Sequence, residues 1–145
     1  MKMNKKGFTL IELLAVIVIL AIIALIATPI IMGIIDDART NAAMNSAYGY
    51  LDAVDKAAVK SGFGTTGDPS TANFVTLNGT YTISSSATEL RNTTTKVLDV
   101  AFKGTVPTES GTSLTYTSGA LTGGTIVVNS KTFTIGSDGK LSFSK

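Results

Sequence analysis

Lys5-Lys6-Gly7-Phe8-Thr9-Leu10-Ile11-Glu12-Leu13-Leu14 decides the fold, because it heads the one long apolar run in the chain. A short basic leader ends at Gly7. Glu12 is the last charge before a stretch that stays uncharged from Leu13 to Ile35. At a helical rise that stretch spans about 34 Å, enough for the hydrocarbon core of a bilayer. A carboxylate near the centre of a membrane costs about 2.5 kcal/mol or more. Glu12 therefore either reaches the interface or has a partner.

Two ordinary readings of this stretch fit poorly. A secretory signal peptide has a shorter apolar region and a small-x-small cleavage site at its end. No Ala-x-Ala occurs around Ala24, Ala27 and Thr28, and the apolar residues continue past Pro29 through Ile30, Ile31, Met32, Ile34 and Ile35. An uncleaved signal anchor fits the length. It gives no reason for Gly7-Phe8 or for Glu12.

The stretch resembles the class III leader of type IV prepilins: Gly7-Phe8-Thr9-Leu10-Ile11-Glu12, then an apolar helix with a proline about two-thirds of the way along. The resemblance is specific from Lys5 to roughly Ile35. It weakens to a generic helix up to about Ser61, and to a general architecture beyond. It implies that a prepilin peptidase cuts between Gly7 and Phe8 and methylates the new N-terminus on Phe8. It also implies a lollipop-shaped α+β fold and a helical homo-oligomeric filament. The further partners implied are a cytoplasmic assembly ATPase and a membrane platform protein.

The bulk composition agrees. A chain of 145 residues suits one domain. The formal charge of +2 is set by the leader, since Lys2, Lys5 and Lys6 belong to it. Without them nine basic residues face ten acidic ones, and from Asp36 onward nine face nine. A neutral body does not suggest a nucleic-acid groove, so strong nucleic-acid binding by the head is not expected. The leader lysines keep the N-terminus cytoplasmic and place the body outside. There is no cysteine, so no disulfide supports the exported part. There is no histidine, the commonest general base and metal ligand.

The expected organisation is a leader at 1–7, a transmembrane or filament-core helix at 8–35, and a globular head at 36–145. Phe8 to about Ser61 reads as one helix, apolar all round in its first half. Pro29 lacks the N–H that would bond the Leu25 carbonyl. A kink is expected there, with Gly33 softening the next turn. From Asp36 to Ser61 the helix turns amphipathic. Met44, Ala47, Leu51, Val54 and Ala58 form the stripe expected to pack on the head's own sheet. Gly49 is a weak point of about 1 kcal/mol relative to alanine. Some 53 helical residues extend roughly 80 Å, whereas the remaining 84 make a globule of gyration radius near 12 Å. About half the helix, the apolar half, therefore has to protrude. Such a surface survives only in a membrane or against copies of itself.

Residues 62–145 read as a loop and an antiparallel sheet. Ser61 to Asn73 is the loop. Phe74–Leu77 and Thr80–Ile83 flank Asn78-Gly79, a hairpin signal. Ala87 to Arg91 is expected to form a short helical turn, and Val97 to Phe102 a strand. Gly104–Gly111 is a loop. Ser113–Thr117, Thr125–Val128, Thr132–Ile135 and Leu141–Phe143 are further strands, with a turn at Gly136-Ser137-Asp138-Gly139.

Candidate chemistry is sparse. Glu12 is the strongest functional residue. In an assembled bundle it would meet the Phe8 amine of a neighbour, and a missing partner would leave a buried charge exposed to a heavy penalty. The rival is a contact between Phe8 and Glu12 of one chain. Asp36-Asp37 reads as a solvated face, and Asp138 as a turn residue rather than a calcium ligand. Asn78-Gly79-Thr80 and Asn92-Thr93-Thr94 match the glycosylation sequon, a weak signal. No catalytic residue, metal site or cofactor is expected, and the chain does not read as an enzyme. The expected function is that of a pilin, the structural subunit of a type IV pilus used in adhesion, twitching motility or aggregation. It is stored in the cytoplasmic membrane and displayed at the cell surface. The alternatives are a pseudopilin of a type II secretion or competence system, and an uncleaved membrane-anchored binding module.

Overall fold

The computed structural model describes residues 7–61, 75–93 and 95–144. The leader residues before Gly7, the loop expected up to Asn73, and Phe74 and Thr94 of the proposed hairpin and sequon lie outside the described residues. One helix, α1 (Leu10–Ser61), is followed by seven strands: β1 (Gly79–Ile83), β2 (Glu89–Asn92), β3 (Thr95–Asp99), β4 (Ser113–Thr117), β5 (Ala120–Val128), β6 (Lys131–Ile135) and β7 (Leu141–Phe143). The class is α+β, as the sequence implies. The chain divides into two compact units, Met1–Arg39 and Thr40–Lys145.

In the first unit every large apolar side chain from Phe8 to Ile35 is exposed. The helix begins at Leu10 rather than Phe8, because Thr9 acts as its cap. The helix continues unbroken through Pro29. The Thr28 hydroxyl donates to the Ala24 carbonyl at 2.7 Å, a back-bond that keeps this polar group satisfied beside the proline.

The second unit holds the core. Its sheet runs β3-β2-β1-β4-β5-β6-β7, and every neighbouring pair is antiparallel. Two meanders meet at β1 and β4. The chain makes β1, β2 and β3 outward, returns, and lays β4 against the free side of β1. It then continues outward through β5, β6 and β7. On the return, Thr108 N–H donates to the Val127 carbonyl at 2.8 Å and Val127 N–H donates to the Thr112 hydroxyl at 3.0 Å. These bonds occupy backbone groups of β5 beyond the end of β4.

The helical part of this unit buries Thr40, Ala43, Ala47, Tyr50, Leu51 and Val54. They pack with Tyr81, Ile83, Leu90, Leu114, Tyr116, Ile126 and Phe133 of the sheet. Burying each large apolar side chain contributes about 1.5–3 kcal/mol. The stripe is thus rotated from the expected one. Met44 and Ala58 are only half-buried, whereas Tyr50 is fully enclosed and meets Phe102 edge-on, with centroids 5.7 Å apart. Gly49 has a packing reason, since a Cβ there would stand 3.2 Å from the Phe102 ring.

Three strand expectations need correction. Residues 75–78 form no strand, so the hairpin at Asn78-Gly79 does not exist. The Tyr81 hydroxyl accepts from Asn78 N–H at 2.9 Å and donates to the Asn78 carbonyl at 3.1 Å. Gly119 N–H takes the Leu77 carbonyl at 2.8 Å. With these groups occupied, β1 pairs instead with β2 and β4. The expected helical turn at Ala87–Arg91 is a tight turn followed by β2. Ala87 N–H donates to the Ser84 carbonyl at 2.8 Å, and Ala87 takes a left-handed φ of 53°. The strand expected at Val97–Phe102 lies earlier, at Thr95–Asp99, because β3 registers on β2 from Asn92 onward.

Candidate functional site: the capped helix start

Thr9 and Glu12 form a reciprocal cap at the first turn of α1. Thr9 N–H donates to Glu12 Oε2 at 2.8 Å, and the Thr9 hydroxyl donates to the same oxygen at 2.6 Å. In return Glu12 N–H faces the Thr9 hydroxyl at 3.4 Å and the Thr9 carbonyl at 3.1 Å. Leu13 N–H also reaches the Thr9 carbonyl, at 3.3 Å. This is the Thr-x-x-Glu capping box, in which residue N3 reaches back to the cap residue. It matters most in an apolar surround, where the first N–H groups of a helix have no water to bond. The carboxylate also lies at the positive end of the helix dipole, where a negative charge is favoured.

Phe8 and Gly7 precede the cap and are both exposed, Phe8 to 91%. The Gly7–Phe8 bond therefore lies outside the helix, between two exposed residues. The geometry places Phe8, Thr9 and Glu12 within one turn. Pro29 and Gly33 lie five turns further on and take no part in this cluster; nothing lies within 4 Å of a Cβ placed on Gly33. Thr9 escaped the sequence reading, although the Thr-x-x-Glu spacing was its signal.

Among the described residues no group of three metal-ligating side chains occurs. Asp138 serves its turn: Oδ1 accepts from Lys140 N–H at 3.0 Å, and that bond holds the carboxyl below the usual aspartate range. At the helix–sheet interface the Tyr50 hydroxyl is buried without a hydrogen-bond partner among the described residues, and the Tyr116 hydroxyl is buried beside the Asp55 carboxylate. Burial raises both phenols well above the usual tyrosine range, and the Asp55 carboxylate beside Tyr116 adds to the rise there.

The helix is long and apolar enough to cross a membrane, with mean hydropathy 3.2 over its most apolar 18-residue window. The family model described as the prokaryotic N-terminal methylation motif matches residues 2–28. That match supports a type IV pilin-like prepilin, processed by a prepilin peptidase and anchored in a membrane before assembly. Nothing matches among the curated proteins or the solved structures compared.

Proposed function

We propose that this chain is the repeating subunit of a type IV pilus and has a structural rather than a catalytic role. The observation that carries the reading is an apolar helix surface, exposed from Leu10 to Ile35, headed by a capped carboxylate. Residues 1–7 are the leader, 8–35 the membrane and filament-core helix, and 36–145 the head.

Cleavage between Gly7 and Phe8 creates an α-amine one residue before the cap, and Phe8 carries the methyl group. Both Thr9 bonds end on Glu12 Oε2. In the stored subunit Thr9 holds the carboxylate. In the filament a neighbour's Phe8 amine meets Oε1 in low dielectric, and a subunit out of register leaves the charges unpaired. Pro29 and Gly33 allow the helix to adjust as the apolar surfaces close on one another. An assembly ATPase and a platform protein lift the subunits from the cytoplasmic membrane to the cell surface.

The test is the intact mass, with N-terminal fragmentation, of this protein in surface material sheared from its native cells. Methylated chain starting at Phe8 and abundant there is the expected result. Processed chain confined to the envelope would instead indicate a pseudopilin. Stable chain retaining Gly7 would overturn the reading in favour of an anchored module.

A further inference from the structure

Asn78-Gly79 is the one Asn-Gly pair in the chain, and it turns no hairpin. Both residues are exposed. Gly79 opens β1 at the end of its ladder with β4, opposite Tyr116. On the other side β2 reaches only Thr82 and Ile83, so among the described residues a single strand flanks Gly79. Gly79 has φ 109°, and a Cβ placed there would meet nothing within 4 Å. A strand end held on one side opens readily.

The Tyr81 hydroxyl acts on the same pair. Its ring is buried edge-on against Tyr116, with centroids 6.1 Å apart. Its oxygen accepts from Asn78 N–H at 2.9 Å and donates to the Asn78 carbonyl at 3.1 Å. That carbonyl and the Gly79 nitrogen belong to one peptide group. When the nitrogen loses its proton, charge spreads onto the carbonyl oxygen, where the hydroxyl stabilises it. An acidified nitrogen, on a residue with no side chain to shield it, thus stands next to an exposed primary amide.

We propose that Asn78-Gly79 is a self-modification site, where the chain deamidates without an enzyme and the Tyr81 hydroxyl promotes the step. The Gly79 nitrogen attacks Asn78 Cγ, forming the new N–Cγ bond of a cyclic imide. The Cγ–Nδ2 bond breaks. The proton of the nitrogen passes through solvent to the leaving group, which departs as ammonia. Water, the sole co-reactant, then opens the imide. Addition at Cγ restores the ordinary backbone with an aspartyl side chain. Addition at the former backbone carbonyl carbon leaves an isoaspartyl link, in which the chain runs through Cγ and the α-carboxylate is free. Either product adds one negative charge to a body where nine basic residues face nine acidic ones from Asp36 onward. In the isoaspartyl form the carbonyl that Tyr81 holds becomes that carboxylate. The age of a head is thus written as charge at the start of β1. The inference does not rest on the filament reading.

The test keeps the full-length chain in detergent in mildly alkaline heavy-oxygen water. The chain is then digested in ordinary water and each asparagine is read by mass, with isoaspartyl methyltransferase labelling as a second readout. Heavy oxygen at Asn78 of the folded chain, well ahead of Asn129, is the expected result. Asn129 is also exposed in a tight turn, but serine follows it. Tyr81→Phe keeps the ring and should slow the reaction of the folded chain about fivefold. The same substitution should leave the rate in denaturant unchanged, because the Tyr81 contacts exist only in the fold. Intact Asn78 in folded wild type, over a time in which the denatured chain reacts, overturns the proposal even if Tyr81→Phe misfolds. Equal rates at Asn78 and Asn129 of the folded chain overturn it too. A folded Tyr81→Phe chain that reacts as fast as wild type would overturn the promoting role of the hydroxyl. None of these outcomes changes the residue at which the chain starts, which tests the filament reading.

Discussion

Thr9 donates two hydrogen bonds to a single oxygen of Glu12, from its backbone at 2.8 Å and from its hydroxyl at 2.6 Å. The threonine thus caps the helix two residues after Gly7. Its spacing to Glu12 is fixed by one helical turn, so the carboxylate is oriented by its own chain.

Removing that cap should loosen the first turn. An N-cap threonine is worth about 1 kcal/mol, which corresponds to about a fivefold change in local opening. Thr9→Val, which keeps the shape and removes the hydroxyl, should speed amide exchange at Glu12 and Leu13 by about that factor in detergent micelles. Thr9→Ser should leave exchange unchanged. Equal exchange in Thr9→Val and wild type would show that the hydroxyl does not cap the helix.

Tyr50 buries a hydroxyl that has no partner among the described residues. An unsatisfied buried hydroxyl costs about 1–3 kcal/mol, so removing it without disturbing the ring should help. Tyr50→Phe is expected to stabilise the head by about 1 kcal/mol in denaturant unfolding. Alkali supplies a second readout. Burial holds both phenols protonated in the folded state beyond the pH at which free tyrosine ionises. The unfolded chain then loses protons first, and stability falls as pH rises above about 10. The fall should be shallower in Tyr50→Phe.

How far the sequence could be read follows from how local each signal was. The apolar run and the amphipathic stretch depend on composition and period; the first appears where expected, and the second with its buried stripe turned toward Tyr50. The Asn78-Gly79 signal was local as well, but Tyr81 and Gly119 take up the backbone groups a hairpin would need. Among the described residues, two-residue turns form at Ser118-Gly119 and Asn129-Ser130, each with both residues at positive φ. Only the second contains an asparagine, and neither has the Asn-Gly pair that marks such turns best. Pairing of β1 with β4 spans some thirty residues and leaves no local trace. At the helix start the opposite happened. Thr9-x-x-Glu12 is a legible cap, yet Glu12 reads first as a membrane charge in search of a distant partner.

Gly123 and Gly124 make β5 look interrupted, since glycine weakens a strand. The structure separates their roles. Gly124 has φ 124°, and a Cβ there would stand 2.1 Å from the Ser113 carbonyl oxygen, which is backbone and unable to swing aside. At Gly123 the nearest such atom is 4.0 Å away. Gly124→Ala should therefore destabilise the head by about 3 kcal/mol, by overpacking and backbone strain together, while Gly123→Ala stays within about 1 kcal/mol. Denaturation midpoints of the two variants in detergent check this. Similar midpoints would mean that β5 does not approach β4 so closely at Gly124.

Asp55 gives the head an acid-favouring slope. Burial, and next the charge of Asp52, raise its carboxyl above the usual aspartate range. The folded state thus holds this proton to higher pH than the unfolded chain does. Stability from this group is greatest below the unfolded pKa, near 4, and declines as pH rises through the folded value. Lys56 softens the effect by pairing with Asp52, one turn N-terminal to it. Asp55→Asn removes the titration and keeps the shape beside Tyr116. It should match wild type near pH 3, exceed it at pH 7, and flatten the profile between. Denaturant midpoints of both chains across that range test the sign. A wild-type head that gains stability from pH 4 to pH 7 relative to Asp55→Asn would show that a favourable partner for the carboxylate, not its burial, controls the titration.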